Sequence, residues 1–166
     1  MTAIIALLLS AAAAILLLML YLWRRRPKNP FENGSALPYL RRALMTESEL
    51  DVYALLLDAL PEYMVFAQVQ ASRVLEVPSG RETYYWLNFI SRLSYDFVIC
   101  RTDGTPLAAI EIDDASHELP ERQEADHRKN RATAAAGVAI LRWPVGRLPG
   151  SVHIRRQIRK IDRQAA

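Results

Sequence analysis

The stretch "SYDFVICRTDGTPLAAIEIDDASHE", Ser94 to Glu118, decides the fold. Two apolar runs flank Thr102-Asp103-Gly104-Thr105. An Asp-Gly pair between such runs is a strong hairpin signal, because the tight turn needs backbone angles that Gly and Asp tolerate. The runs therefore predict antiparallel strands, with Asp96 opening the first and Glu111 and Asp113 finishing the second. Residues two apart on a strand share a face, about 6.5 to 7 Å from one another. Glu111 and Asp113 thus project together, and the hairpin returns them to the end of the sheet where Asp96 lies. The three carboxylates are expected to converge.

Convergence has a cost. Two like charges about 7 Å apart repel by about 2 kcal/mol at an effective dielectric of about 20. Three such groups need protons, basic partners or a cation. A hard divalent ion, Mg²⁺ or Mn²⁺, suits oxygen ligands. Held by two or three carboxylates, with positions left for water and a phosphate, it is equipment for phosphodiester hydrolysis. The competing reading pairs Asp96 and Glu111 with Arg122 or Lys129 at the edge of the sheet.

Outward from the hairpin, "MTESELDVYALLLDALPEY" reads as a helix. Thr46 and Glu49 form a capping box, acids occupy the first turn, and Pro61 closes the element. "YMVFAQVQAS" alternates as a strand, placing Val65, Ala67 and Val69 on one face and Phe66, Gln68 and Gln70 on the other. In "RETYYWLNFISRL" the apolar residues do not alternate, which favours a short helix. "LPERQEADHRKNRATAAAG" is a helix with Pro120 in its first turn and Gly137 as its stop. "VAILRW" is a last strand. The order helix, strand, strand, strand, helix, strand predicts an α/β domain with a mixed sheet flanked by helices.

Both ends of the chain differ from this middle. No charge occurs from Ala3 to Trp23, a stretch about 31 Å long as a helix against a hydrocarbon core of about 30 Å. A cleaved signal peptide would want a positive amino end, which "MTAI" lacks. Residues 1–23 are expected to be a transmembrane anchor. "RRRPK" follows it and nothing positive precedes it, so the remainder is expected on the cytoplasmic side. The single cysteine, Cys100, agrees with a reducing compartment. Residues 24–44, with Pro27, Pro30, Gly34 and Pro38, read as a basic juxtamembrane linker before a domain at 45–146. Residues 147–166 contain "RRQIRKIDRQ", where Ile154, Ile158 and Ile161 recur at helical spacing. That amphipathic helix is either a solvated helix packed on the domain or a contact for nucleic acid or anionic lipid. With 21 basic and 18 acidic residues, the net charge of +3 is no strong nucleic-acid footprint.

An acid on the second strand and "E-x-D" ending the third, within this element order, resembles the restriction-endonuclease-like PD-(D/E)XK superfamily. The string "YDFVI … AIEIDDASH … AGVAILR" is similar to the bacterial domain-of-unknown-function family number twenty-seven twenty-six. That family often stands behind an N-terminal membrane segment and is similar to very-short-patch-repair endonucleases. The resemblance covers about Met45 to Trp143. It implies a restriction-endonuclease-like αβββαβ fold at the bacterial inner membrane, with Asp96 and Glu111 as metal-binding acids. Asp113 stands where that motif usually carries lysine. Lys129 on the following helix is the candidate replacement, with Arg122 and Asp126 on the same helix face. His117 matches a histidine that serves as general base in the repair-like members, and Glu49 matches an acid that some members place on the first helix. Gln68 neighbours this presumed site. The implied function is a membrane-anchored, Mg²⁺- or Mn²⁺-dependent hydrolase of nucleic acid. The alternative is a catalytically inactive module of the same fold that binds nucleic acid or protein at the membrane.

Overall fold

The hairpin forms as its turn chemistry requires. In the computed structural model, which describes residues 2–25, 29, 31, 34, 36–113 and 120–165, Gly104 takes φ +87°. The Asp103 carboxylate accepts the Thr105 N–H at 2.8 Å. In chain order the elements are α1 (Thr2–Arg24), α2 (Glu47–Ala59), β1 (Met64–Gln70), α3 (Ala71–Val74), α4 (Thr83–Ile90), β2 (Ser94–Cys100), β3 (Pro106–Asp113), α5 (Pro120–Ala135), β4 (Ala139–Pro144) and α6 (Ser151–Gln164). The chain divides into two compact units, Met1–Arg42 and Ala43–Ala166.

In the first unit, α1 exposes its apolar side chains all along its length, and Ile4–Arg24 is long and apolar enough to cross a membrane. The second unit is a mixed α/β structure, a four-stranded sheet in the order β1-β2-β3-β4 flanked by helices. β1 to β3 run antiparallel, and β3 and β4 pair in parallel through the α5 crossover. Gly137, at φ +73°, lets the chain leave α5 and turn into β4.

Two apolar clusters sandwich the sheet. On one face, Val52 and Leu56 of α2 and Ile154 and Ile158 of α6 pack on Phe97, Ile99 and Ile110. On the other, Ala71, Ile90 and the partly buried Ala132 pack on Tyr95, Val98 and Ala109. The basic tail helix is therefore part of the core. Arg155 donates to the Ala59 carbonyl at the end of α2 (2.9 Å), and Arg159 pairs with Glu62 (2.7 Å).

The capping box of α2 is present, with the Thr46 N–H donating to Glu49 Oε2 at 2.6 Å. One expectation fails in β1. Val65 and Ala67 join the α2–α6 face, but Val69 joins the other. Gln68 has φ +53°, a left-handed conformation that breaks the two-residue alternation. Its neighbour strand does the same: Phe97 faces α2 and α6 while Tyr95 faces the other helices. The register runs Ala67↔Phe97 and then Val69↔Tyr95, so both strands reverse face across Gln68 and Asp96.

Candidate active site

That reversal places Asp96 at a fork in the sheet. The described β2–β3 register stops at Phe97↔Ile110. Beyond it, Asp96 Oδ2 accepts the Ile112 N–H at 2.7 Å, a side chain standing in for a strand carbonyl. Burial pushes the Asp96 carboxyl up, that N–H opposes the shift, and the nearby Glu49 charge adds to it. Glu49 belongs to the same end of the sheet. One of its oxygens caps α2, and the other accepts from Gln68 Nε2 at 2.8 Å. Gln68 therefore acts on Glu49, and its left-handed backbone is part of how it reaches there.

Between Ile110, the last β3 residue in that register, and Ile112, Glu111 pairs with α5. Lys129 Nζ lies 2.7 Å from Glu111 Oε2 and donates to the Ser94 carbonyl at 3.1 Å. The pair is buried, with 11 % of the lysine side chain and 9 % of the glutamate exposed. Burial pushes the Glu111 carboxyl up to about 7, against the pull of Lys129. Among the described residues, its second oxygen, Oε1, is buried without a hydrogen-bond partner. A buried acceptor left unpaired is costly, so such an atom calls for a proton, a cation or a ligand.

Asp113 follows on the same face, where Arg142 of β4 meets it at 3.0 Å. The Arg142 guanidinium also reaches Asp126 at 3.4 Å and Asn130 at 3.1 Å, tying β4 to α5. Asp96, Glu111 and Asp113 thus gather at one end of the sheet, but each is engaged by a different group. Among the described residues, no three of the His, Cys, Asp and Glu side chains form a cluster that could hold a metal ion. The expected three-acid convergence is replaced by Asp96 and Glu111 near the fork and by Asp113 clamped to arginine. The physical reason is electrostatic: two cations, Lys129 and Arg142, supply the counter-charge that three adjacent carboxylates require.

On α5, Asp126 and Lys129 both face this centre. His117 lies outside the described residues, as does the side chain of Arg122. Sequence reading missed Arg142, although an arginine inside the apolar "VAILRW" was the available signal. It also missed the support behind Lys129. The buried Tyr95 hydroxyl meets Thr133 Oγ1 at 2.5 Å, and Thr133 donates to the Lys129 carbonyl at 2.6 Å.

Fold and site together define a mixed α/β domain with an acid–lysine–arginine centre at one sheet end, in a chain that also carries an apolar helix of membrane-spanning length. The family described as Protein of unknown function (DUF2726) matches residues 41–161, and the chain belongs to that family. Neither a curated protein nor a solved structure matches it.

Proposed function

We propose that residues 43–166 form a metal-dependent phosphodiester hydrolase of the restriction-endonuclease-like kind, acting on nucleic acid and tethered by α1 to the cytoplasmic face of the inner membrane. The carrying observation is the Lys129–Glu111 contact with the unpaired, buried Glu111 Oε1 beside it. Asp113 occupies the position where the resembling motif has lysine, and Lys129 brings an ammonium to the metal-binding acid from the next helix. Mg²⁺ or Mn²⁺ fits the donor set of hard oxygens, and Asp96 and Glu111 are the residues that would hold it. Such an ion supplies Lewis acidity toward a phosphoryl oxygen and a lowered pKa for bound water. The chain's own residues orient and neutralise. The Ile112 N–H fixes Asp96, Tyr95 and Thr133 support the backbone of Lys129, and Lys129 offers its charge to a developing phosphorane. Glu49, held by Gln68, and His117 are the candidates for handling the water proton.

The test is calorimetric titration of residues 43–166 with Mn²⁺ and Mg²⁺, followed by cleavage assays on single- and double-stranded DNA and RNA. Asp96→Asn and Glu111→Gln should each abolish metal binding. Lys129→Met should retain binding and lose about 100-fold or more in cleavage rate, the usual cost of one electrostatic donor. Metal binding undiminished in both acid variants would sink the assignment. A second reading, the non-catalytic binding module, draws on Arg142 and Lys129 already neutralising Asp113 and Glu111 within the protein. Nucleic-acid binding without metal uptake or cleavage would select it.

A further inference from the structure

Lys129 occupies the flank of α5 that serves the acid centre. Another flank of this helix lines a cleft of about 680 Å³ that the acid centre does not use. One wall of the cleft is aromatic, formed by Trp86 and Phe89 of α4. The other wall is α5, small at Ala132 and Ala135 and cationic at Arg128 and Arg131. Both arginines are exposed, and among the described residues Arg128 has a loose ion pair with Glu124 at 4.0 Å. Glu76 is the one acid among the described lining residues. The volume falls within the range of small-molecule sites, about 300 to 1,000 Å³.

The aromatic wall is pre-ordered and yet uncovered. Tyr85 meets Trp86 and Phe89 edge-on, with centroids 5.2 and 5.1 Å apart. The Trp86 indole N–H donates to Glu82 at 3.2 Å, which fixes the ring. Trp86 is nonetheless 53 % exposed and Phe89 38 %. A concave space between a planar apolar wall and a cationic wall is complementary to a flat ring that carries an anion. A lipid surface would instead favour aromatic and basic side chains projecting outward along one continuous face, not opposed across a cleft.

We infer that the α4–α5 cleft is a subsite for single-stranded nucleic acid, with a base stacked on Trp86 and the adjoining phosphate held by Arg128 and Arg131. The inference rests on the hydrolase reading for the class of substrate. Arg128 precedes Lys129 directly, so a strand seated in the cleft lies along the helix that serves the acid centre. Stacking accepts any base, and the arginines read the backbone, so the subsite is indifferent to sequence.

The test uses residues 43–166, which contain both core clusters entire. Binding of a labelled single-stranded oligothymidylate is measured by anisotropy over a range of salt, with no divalent metal. Trp86→Ala should weaken binding at least about fivefold, and Trp86→Phe should restore most of it. Arg131→Gln should lower the slope of log affinity against log salt by about 0.7, one phosphate contact on a single strand. Unchanged affinity and slope in both cleft variants overturn the subsite. Vesicles of phosphatidylglycerol captured in place of oligonucleotide, with the same dependence on Trp86, overturn it in favour of a lipid surface. Cleft-dependent binding by a protein that takes up no metal and cleaves nothing supports the subsite while overturning the hydrolase reading.

Discussion

At the scale of single residues, the centre is governed by the desolvation of Glu111. Its carboxyl ionises near 4.5 in an open chain and holds its proton to about 7 when folded. Between those values the folded state binds more protons than the unfolded one, so stability falls as pH rises through the window and levels off above about 7. The raised pKa of Asp96 acts in the same direction. The drop from about pH 4.5 to about pH 7 should reach as much as about 3 kcal/mol in urea unfolding of the metal-free domain. Glu111→Gln should remove most of that drop while leaving the rest of the profile in place. An identical pH profile in the variant would show that Glu111 is not the group responsible. Lys129 tempers this effect because its ammonium favours the ionised carboxylate, and it is held in reach by the Ser94 carbonyl.

At the scale of elements, the decisive feature is the place where β1 and β2 change face. Gln68 stands in the left-handed region, which costs an L-residue about 1 kcal/mol and a glycine almost nothing. Gln68→Ala and Gln68→Gly both lose the hydrogen bond to Glu49, but only glycine relieves the backbone. Chemical denaturation should therefore find Gln68→Gly more stable than Gln68→Ala by about 1 kcal/mol. The reverse order would mean that Gln68 is not strained. The helix next to it has its own determinant in the Thr46 cap. Thr46→Ala should cost about 1 kcal/mol and also loosen Glu49, because it removes the Thr46 hydroxyl that donates to Glu49 Oε2 at 2.7 Å.

At the scale of the whole molecule, α6 and α1 have opposite roles. Ile154 and Ile158 are fully buried against the sheet and α2, so α6 completes the core of its unit. Ile158→Ala should cost about 2 to 5 kcal/mol, as a large-to-small change in a packed core does. Thermal unfolding unchanged by that substitution would contradict the packing. The apolar α1 belongs to the other compact unit, Met1–Arg42. Removing residues 2–42 should move the protein from the membrane fraction to the soluble fraction with its thermal midpoint unaltered. Fractionation and calorimetry of the two forms check both halves of that statement.

Much of the element order could be read directly. The Asp103-Gly104 turn, the Thr46 and Glu49 box and the Gly137 stop are local devices, whose chemistry acts within a few residues. The apolar run of α1 and the crossover between β3 and β4 are legible for the same reason: length and periodicity carry them. The sequence alone thus determined the long helices and the four strands, though not the short α3 at Ala71–Val74 where the expected strand ends, and it determined that the sheet is mixed and that Asp96, Glu111 and Asp113 share one of its ends. Only the tertiary structure decided what those acids meet. Lys129 reaches Glu111 across 18 positions, and Arg142 takes Asp113 across 29. The face reversal at Gln68 and Asp96 likewise depends on two strands deforming together. Charge pairing and packing between distant segments depend on the register of whole elements, and no local pattern encodes that register.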